Sequence, residues 1–222
     1  MTPDFRQRFP RVPEHAWPRL EAWAALLRAW NARVNLISRR EIDRLEERHL
    51  APCLAATQFL RLMPGARVLD AGTGGGLPGL PLAICYPEAS FALADSVGKK
   101  IGAVRDMAER LELKNVRAVQ TRVEDMSRAF DFVTGRAVKN LPEFLGWVAP
   151  RVRRGRRHNP ANGVLYWKGG DWETEIARTG IRPRRVVDLE TELNDPAFAE
   201  KHILHVDARD LPRLKTKGKR RG

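Results

Sequence analysis

The stretch VLDAGTGGGLPG, residues 68–79, places five glycines in twelve positions directly after an apolar run. Glycine this dense marks a turn from strand to helix whose backbone takes left-handed torsions or lets another group come close. It commits the chain to an α/β fold in which the loop sits at the carboxyl end of a first strand. The downstream texture agrees: RVLDA, SFALAD, VRAVQ and FDFVTG alternate with helical patterns, one of them from Val97 to Leu113. Strands alternating with helices predict a mostly parallel sheet covered on both faces. GVLYWKGG, a helix over 171–179 and two strands near RRVVDLE and HILHVD follow, and the last pair, joined only by a loop, predicts an antiparallel edge.

Ahead of this region the pattern is helical. Trp17, Leu20, Trp23, Ala24, Leu27 and Trp30 recur at three- and four-residue steps, with Pro18 suited to a first turn. Ser38 and Glu41 have capping-box spacing and predict a second helix carrying Ile42, Leu45 and His49 on one face. Pro52 starts a third, ending near Pro64 and Gly65. The expected organisation is a helical extension over 1–65, a Rossmann-like domain over 66–210 and a basic tail over 211–222.

Composition bears on partners. The formal charge is +13 and uneven: RVRRGRR at 151–157 holds five arginines and RLKTKGKRRG at 213–222 holds six basic residues. Such clusters favour a polyanion, because each Lys or Arg that meets a phosphate releases condensed counterions. No apolar run approaches the roughly 20 residues of a membrane helix, and prolines and charges break the amino terminus, so a cytoplasmic protein is expected. Cys53 and Cys85 lie far apart without Cys/His clustering. Neither a disulfide framework nor a metal site is expected, and both read as buried thiols.

The loop itself separates ligand classes. A P-loop is excluded, because Leu80 and Pro81 follow Gly79 where Lys and Ser/Thr are required. A dinucleotide fingerprint can be forced onto Gly74, Gly76 and Gly79 but places Pro78 inside the turn, so an NAD-dependent oxidoreductase remains as an alternative. Asp70, Gly72, Gly74 and Gly76 instead resemble the first motif of class I methyltransferases that bind S-adenosyl-L-methionine. In that reading Asp70 helps meet the cofactor's cationic amino group and Asp95, ending the second strand, accepts the ribose hydroxyls.

GTGGGLPGLPLA, DSVGKK at 95–100, RVED at 122–125, GRAV at 135–138 and KGG at 168–170, preceded by WNARVNLIS and RHL, together resemble the bacterial RsmG/GidB family. The resemblance spans about residues 20–207. It implies a class I methyltransferase fold with an N-terminal helical extension, S-adenosyl-L-methionine as cofactor, and 16S ribosomal RNA or the small ribosomal subunit as partner, methylated at guanine N7. It carries over cofactor contacts to Gly72, Leu77, Val123, Glu124 and Arg136, with Val123 on the adenine and Arg136 toward the cofactor carboxylate or the RNA. Departures are Pro52 and Cys53 where the family often has Asp-Ser, and Gly135 where it often has Ser.

Guanine N7 has an in-plane lone pair and no proton to lose, so no catalytic base is expected and the rate can come from alignment. The Asn/Asp-Pro-Pro-aromatic motif of exocyclic-amine methylation is missing after the fourth strand, and neither cysteine is placed as a nucleophile. RNA contacts are expected from Arg136, Lys168 and the loop arginines Arg153, Arg154, Arg156 and Arg157, with core packing favoured over base stacking for Trp147, Trp167 and Trp172. A monomer is expected. An RNA-binding assembly factor without activity is the third alternative.

Overall fold

The computed structural model describes residues 1–126, 130–177 and 179–211. The apolar runs become five parallel strands: β1 (Arg67–Ala71), β2 (Ser90–Asp95), β3 (Val116–Gln120), β4 (Phe132–Arg136) and β5 (Gly163–Gly169). With β6 (Arg185–Asp188) and β7 (Lys201–Asp207) they form a seven-stranded sheet in the order β3-β2-β1-β4-β5-β7-β6. β7 runs antiparallel to both neighbours, which is the expected antiparallel edge. The direction of the chain's route switches between β1 and β4.

Helices cover both faces because successive strand residues point to opposite sides. The helices are α1 (Pro3–Gln7), α2 (Trp17–Asn31), α3 (Ala51–Ala55), α4 (Gly79–Cys85), α5 (Gly98–Arg110), α6 (Leu141–Val148), α7 (Trp172–Ala177) and α8 (Leu189–Leu193). Val68, Phe91, Leu93, Phe132, Leu165 and Ile203 pack on one side with residues of α2, α3, α4, α5 and α8. Leu69, Val133, Val164 and Leu204 pack on the other with Phe144 and Leu145 of α6 and Ile176 of α7. The N-terminal helices thus share a core with the sheet: the Trp167 indole of β5 donates to the Pro52 carbonyl at 2.7 Å.

Three local expectations change. Ser38 makes no side-chain cap, and Arg39–Arg44 is a 3-10 helix followed by a π-helical turn, Glu46–Leu50, that runs into α3. Glu41, expected to reach back to Ser38, turns to His49 instead. α3 stops at Ala55 because the chain ahead pairs elsewhere: the Arg61 amide and carbonyl bond with the Asn159 backbone at 2.6 and 3.2 Å. The closing strands are joined by α8, capped by Asp188, rather than by a simple loop. The tail beyond Leu211 lies outside the described residues.

Candidate active site

At the carboxyl ends of β1 and β4, where ligand crevices form in open α/β sheets, lies a cleft of about 850 Å³. Gly72–Gly75 and Leu77 form part of its lining. Gly74 has φ +56°, and a Cβ built on it meets nothing within 4 Å, so bare backbone faces open space. Gly76 is glycine for another reason and does not line the cleft: its φ is +88°, and a Cβ would stand 2.5 Å from Leu80 Cδ1. At Gly72 a Cβ would crowd Val138 at 2.9 Å.

Asp70 departs from its expected place. It is fully buried beneath the loop. Its Oδ2 accepts from the Thr73 hydroxyl at 2.5 Å and the Gly79 amide at 3.1 Å, and its Oδ1 accepts from the Thr134 hydroxyl at 2.7 Å. Burial lifts its pKa to about 6, against the lowering effect of these donors. The carboxylate binds β1, the loop and β4 together rather than facing the cleft.

The other strand ends do line it. Asp95 accepts from the Gly74 amide through Oδ2 and from the Val97 amide through Oδ1, both at 2.9 Å. Past β3, Val123 opens a 3-10 turn, Val123–Asp125, with its side chain buried and Glu124 exposed. The first amides of such a turn lack intrahelical acceptors. Arg151 clasps its carbonyl side, donating from Nε to Val123 O at 3.1 Å and from Nη2 to Glu124 O.

The far wall comes from the N-terminal extension. Buried Asn31, at the end of α2, accepts from the Leu36 and Ile37 amides at 2.8 and 2.9 Å and so folds that segment onto the cleft. His49 follows on the π-helical turn. Arg136, at the end of β4, donates to the His49 carbonyl at 3.3 Å and to its Nδ1 at 2.7 Å. Arginine offers only donors, so Nδ1 must accept and the ring proton sits on Nε2. Glu41 Oε2 lies 3.1 Å from Nε2 without forming a hydrogen bond, a carboxylate beside the N–H of a neutral ring. Burial, then the Arg136 charge, depresses the His49 pKa to about 4, so the ring is neutral at physiological pH.

His49, Glu41, Asn31 and Thr73 were not singled out as site residues by the sequence reading, although RHL and WNARVNLIS carried the resemblance. Trp147 lines the cleft half-exposed, with Lys139 Nζ 5.9 Å from its ring. Trp167 is buried, and Trp172 packs edge-on against His202, away from the cleft. Lys168 also departs from expectation: it is largely buried and paired with Glu175 at 2.8 Å, and Glu175 in turn accepts from the Leu141 amide at the start of α6. Arg153, Arg154, Arg156 and Arg157 sit away from the cleft, beside the amino-terminal ends of β4 and β5, where Arg153 pairs with buried Asp131. Cys53 and Cys85 are buried, and burial pushes both thiols up to about 12. Where Ser was expected from the resemblance, Gly135 leaves room for Phe144, whose Cζ would lie 2.4 Å from an added Cβ.

A sheet of this order, with a glycine loop after β1 and an acid at the end of β2 over a cleft at the switch point, defines a class I S-adenosylmethionine-dependent methyltransferase. Solved structures share this fold. A SAM-dependent methyltransferase from Aquifex aeolicus matches with a TM-score of 0.52 at 17% identity, covering 77% of this chain and 98% of that one. Geranyl diphosphate C-methyltransferase from Streptomyces coelicolor A3(2) matches at 0.55 and 12%, covering 84% and 98%. The model of the family rRNA small subunit methyltransferase G matches residues 17–184. Proteins named ribosomal RNA small subunit methyltransferase G are 37% identical over 204 residues in Flavobacterium johnsoniae (92% of this chain, 97% of that one) and 40% over 200 in Flavobacterium psychrophilum (90% and 95%). The chain belongs to the rRNA small subunit methyltransferase G family.

Proposed function

We propose that this protein transfers a methyl group from S-adenosyl-L-methionine to N7 of a guanosine in 16S ribosomal RNA, without a general base. When bound, the cofactor supplies a methyl carbon activated on a sulfonium. The open backbone at Gly74 and the wall at Leu77 fit its methionine portion, Asp95 its ribose hydroxyls, and Val123 with the Val123 and Glu124 amides its adenine. Arg136, braced by His49, would meet the cofactor carboxylate. Lys100, Arg122 and Lys139 on the rim, with half-exposed Trp147, suit an RNA segment displaying one base.

The bonding of His49, the one histidine lining the cleft among the described residues, supports the choice of target atom. This imidazole lines the cleft with Nδ1 occupied by Arg136, Nε2 against Glu41 and a pKa near 4, so it is a poor proton acceptor. Guanine N7 asks for none, whereas an exocyclic amine must lose a proton. Incubation with labelled cofactor and unmodified 16S ribosomal RNA, followed by mass spectrometry and N7-specific strand scission, tests the reading. One scissile guanosine is expected. A methyl group on an adenine or cytosine amine would overturn it.

A further inference from the structure

Arginines without carboxylate partners gather on the edge of the sheet opposite the cleft, among the described residues. There the strands β1, β4 and β5 begin, β7 ends, and the arginine-rich loop folds across: Arg153 N bonds to Phe130 O and Asn162 N to Gly155 O. Three carboxylates on this edge are each matched by one guanidinium, Asp131 by Arg153, Asp207 by Arg209 and Asp210 by Arg184. Six further arginines find no carboxylate within ion-pair distance among the described residues: Arg61, Arg67, Arg154, Arg156, Arg157 and Arg185. The chain passes Leu211 on the same edge, anchored by Ala208 N to Asn162 O, and the eleven residues beyond it include six lysines and arginines.

Four of these six arginines are also held in place without being neutralised. Arg61 donates to the Thr57 and Leu60 carbonyls and Arg157 to the Pro64 carbonyl. Arg67 lies over Phe130 at 5.6 Å and Arg185 over Phe59 at 5.3 Å. A carbonyl or a ring fixes a guanidinium while leaving it charged, with donors to spare for phosphate oxygens. Fixing the side chains in advance lowers the ordering cost of a contact.

We propose that this edge is a second RNA-binding face, gripping the sugar-phosphate backbone of the substrate at a place remote from the nucleotide in the cleft. The proposal rests on the RNA-methyltransferase reading and deepens it. A five-residue strand spans roughly 17 Å, so one nucleotide cannot touch both faces. The substrate class is therefore a folded RNA or ribonucleoprotein that presents two separated segments. Phosphate contacts there set register without reading sequence, and the cleft reads the base.

The test uses the full-length protein with Arg154→Ala and Arg156→Ala together, since neither side chain holds up the fold. Binding of deproteinised 16S ribosomal RNA is measured against salt, with methyl-transfer kinetics and calorimetric titration of S-adenosyl-L-methionine in parallel. Two lost phosphate contacts are expected to flatten the slope of log affinity against log salt by about 1.5 and to weaken binding roughly tenfold near 0.1 M salt. KM for the RNA rises correspondingly, while kcat and cofactor affinity stay at wild-type values. An unchanged salt slope, or a fall in kcat with KM preserved, overturns the second face. Should the wild-type protein methylate no ribosomal RNA, the functional reading fails by itself, and the salt slopes of the two proteins still decide the edge.

Discussion

Replacing His49 by Gln should remove one acid-labile contribution to the stability of the protein. A buried imidazole whose folded pKa lies below its unfolded value binds fewer protons when folded. Stability is therefore complete above the unfolded pKa of 6.5 and lost as pH falls toward about 4. The shift corresponds to about 3 kcal/mol across that window. Asp70 acts in the opposite sense. Its folded pKa of about 6 lies above the ordinary 3.8, so the folded state binds more protons between those values and gains stability as pH falls. The two contributions nearly cancel in the native chain. His49→Gln removes one of them while keeping polar atoms facing Arg136, Glu41 and the Lys201 charge that also acts on the ring. Urea unfolding at about pH 7 and about pH 4.5 provides the measurement, with other carboxylates cancelling between the proteins. On acidification the native protein should lose about 2 to 3 kcal/mol more than the variant. Parallel changes in the two proteins would refute a neutral, buried His49.

Three further outcomes follow from the loop and the thiols. Gly74→Val imposes left-handed strain of about 1 to 2 kcal/mol, which a domain survives, and fills the open space beside the loop. Calorimetry should then detect no cofactor binding in a chain whose circular dichroism is native, and undiminished binding would remove Gly74 from the site. Gly76→Ala should instead lower thermal stability, because its Cβ meets Leu80 at 2.5 Å rather than the cleft. Cys53 and Cys85 should resist a thiol reagent until the protein unfolds, since each is buried with its thiol pushed up to about 12. Rapid labelling of the native protein would contradict this.

What the sequence made legible was local. The strands, the loop and the acids at strand ends follow from apolar runs and from glycines that few other residues can replace. Direction was harder to read. The place of Asp70 at a strand end was visible, but its partners Thr73 and Thr134 come from the loop and from β4, and those hydroxyls draw the carboxylate inward. Lys168, expected to contact RNA, lies near the end of β5 and is taken up by a partner, Glu175, on the following helix. The capping box failed because Glu41 found His49, a pairing that needs the π-helical turn, and the Arg136–His49 contact joins residues 87 apart. No spacing rule reaches that far. The arginine loop was conspicuous as composition, but only the sheet topology reveals that it lies at the far end of the strands from the cleft.

The brace between Arg136 and His49 gives synthesis of the protein an order. The ribosome makes the cleft's outer wall first and the strand that steadies it 87 residues later. Until then the His49 turn is without its Arg136 partner. Because the N-terminal helices share a core with β4 and β5, the wall gains its packing and its brace only after those strands are made.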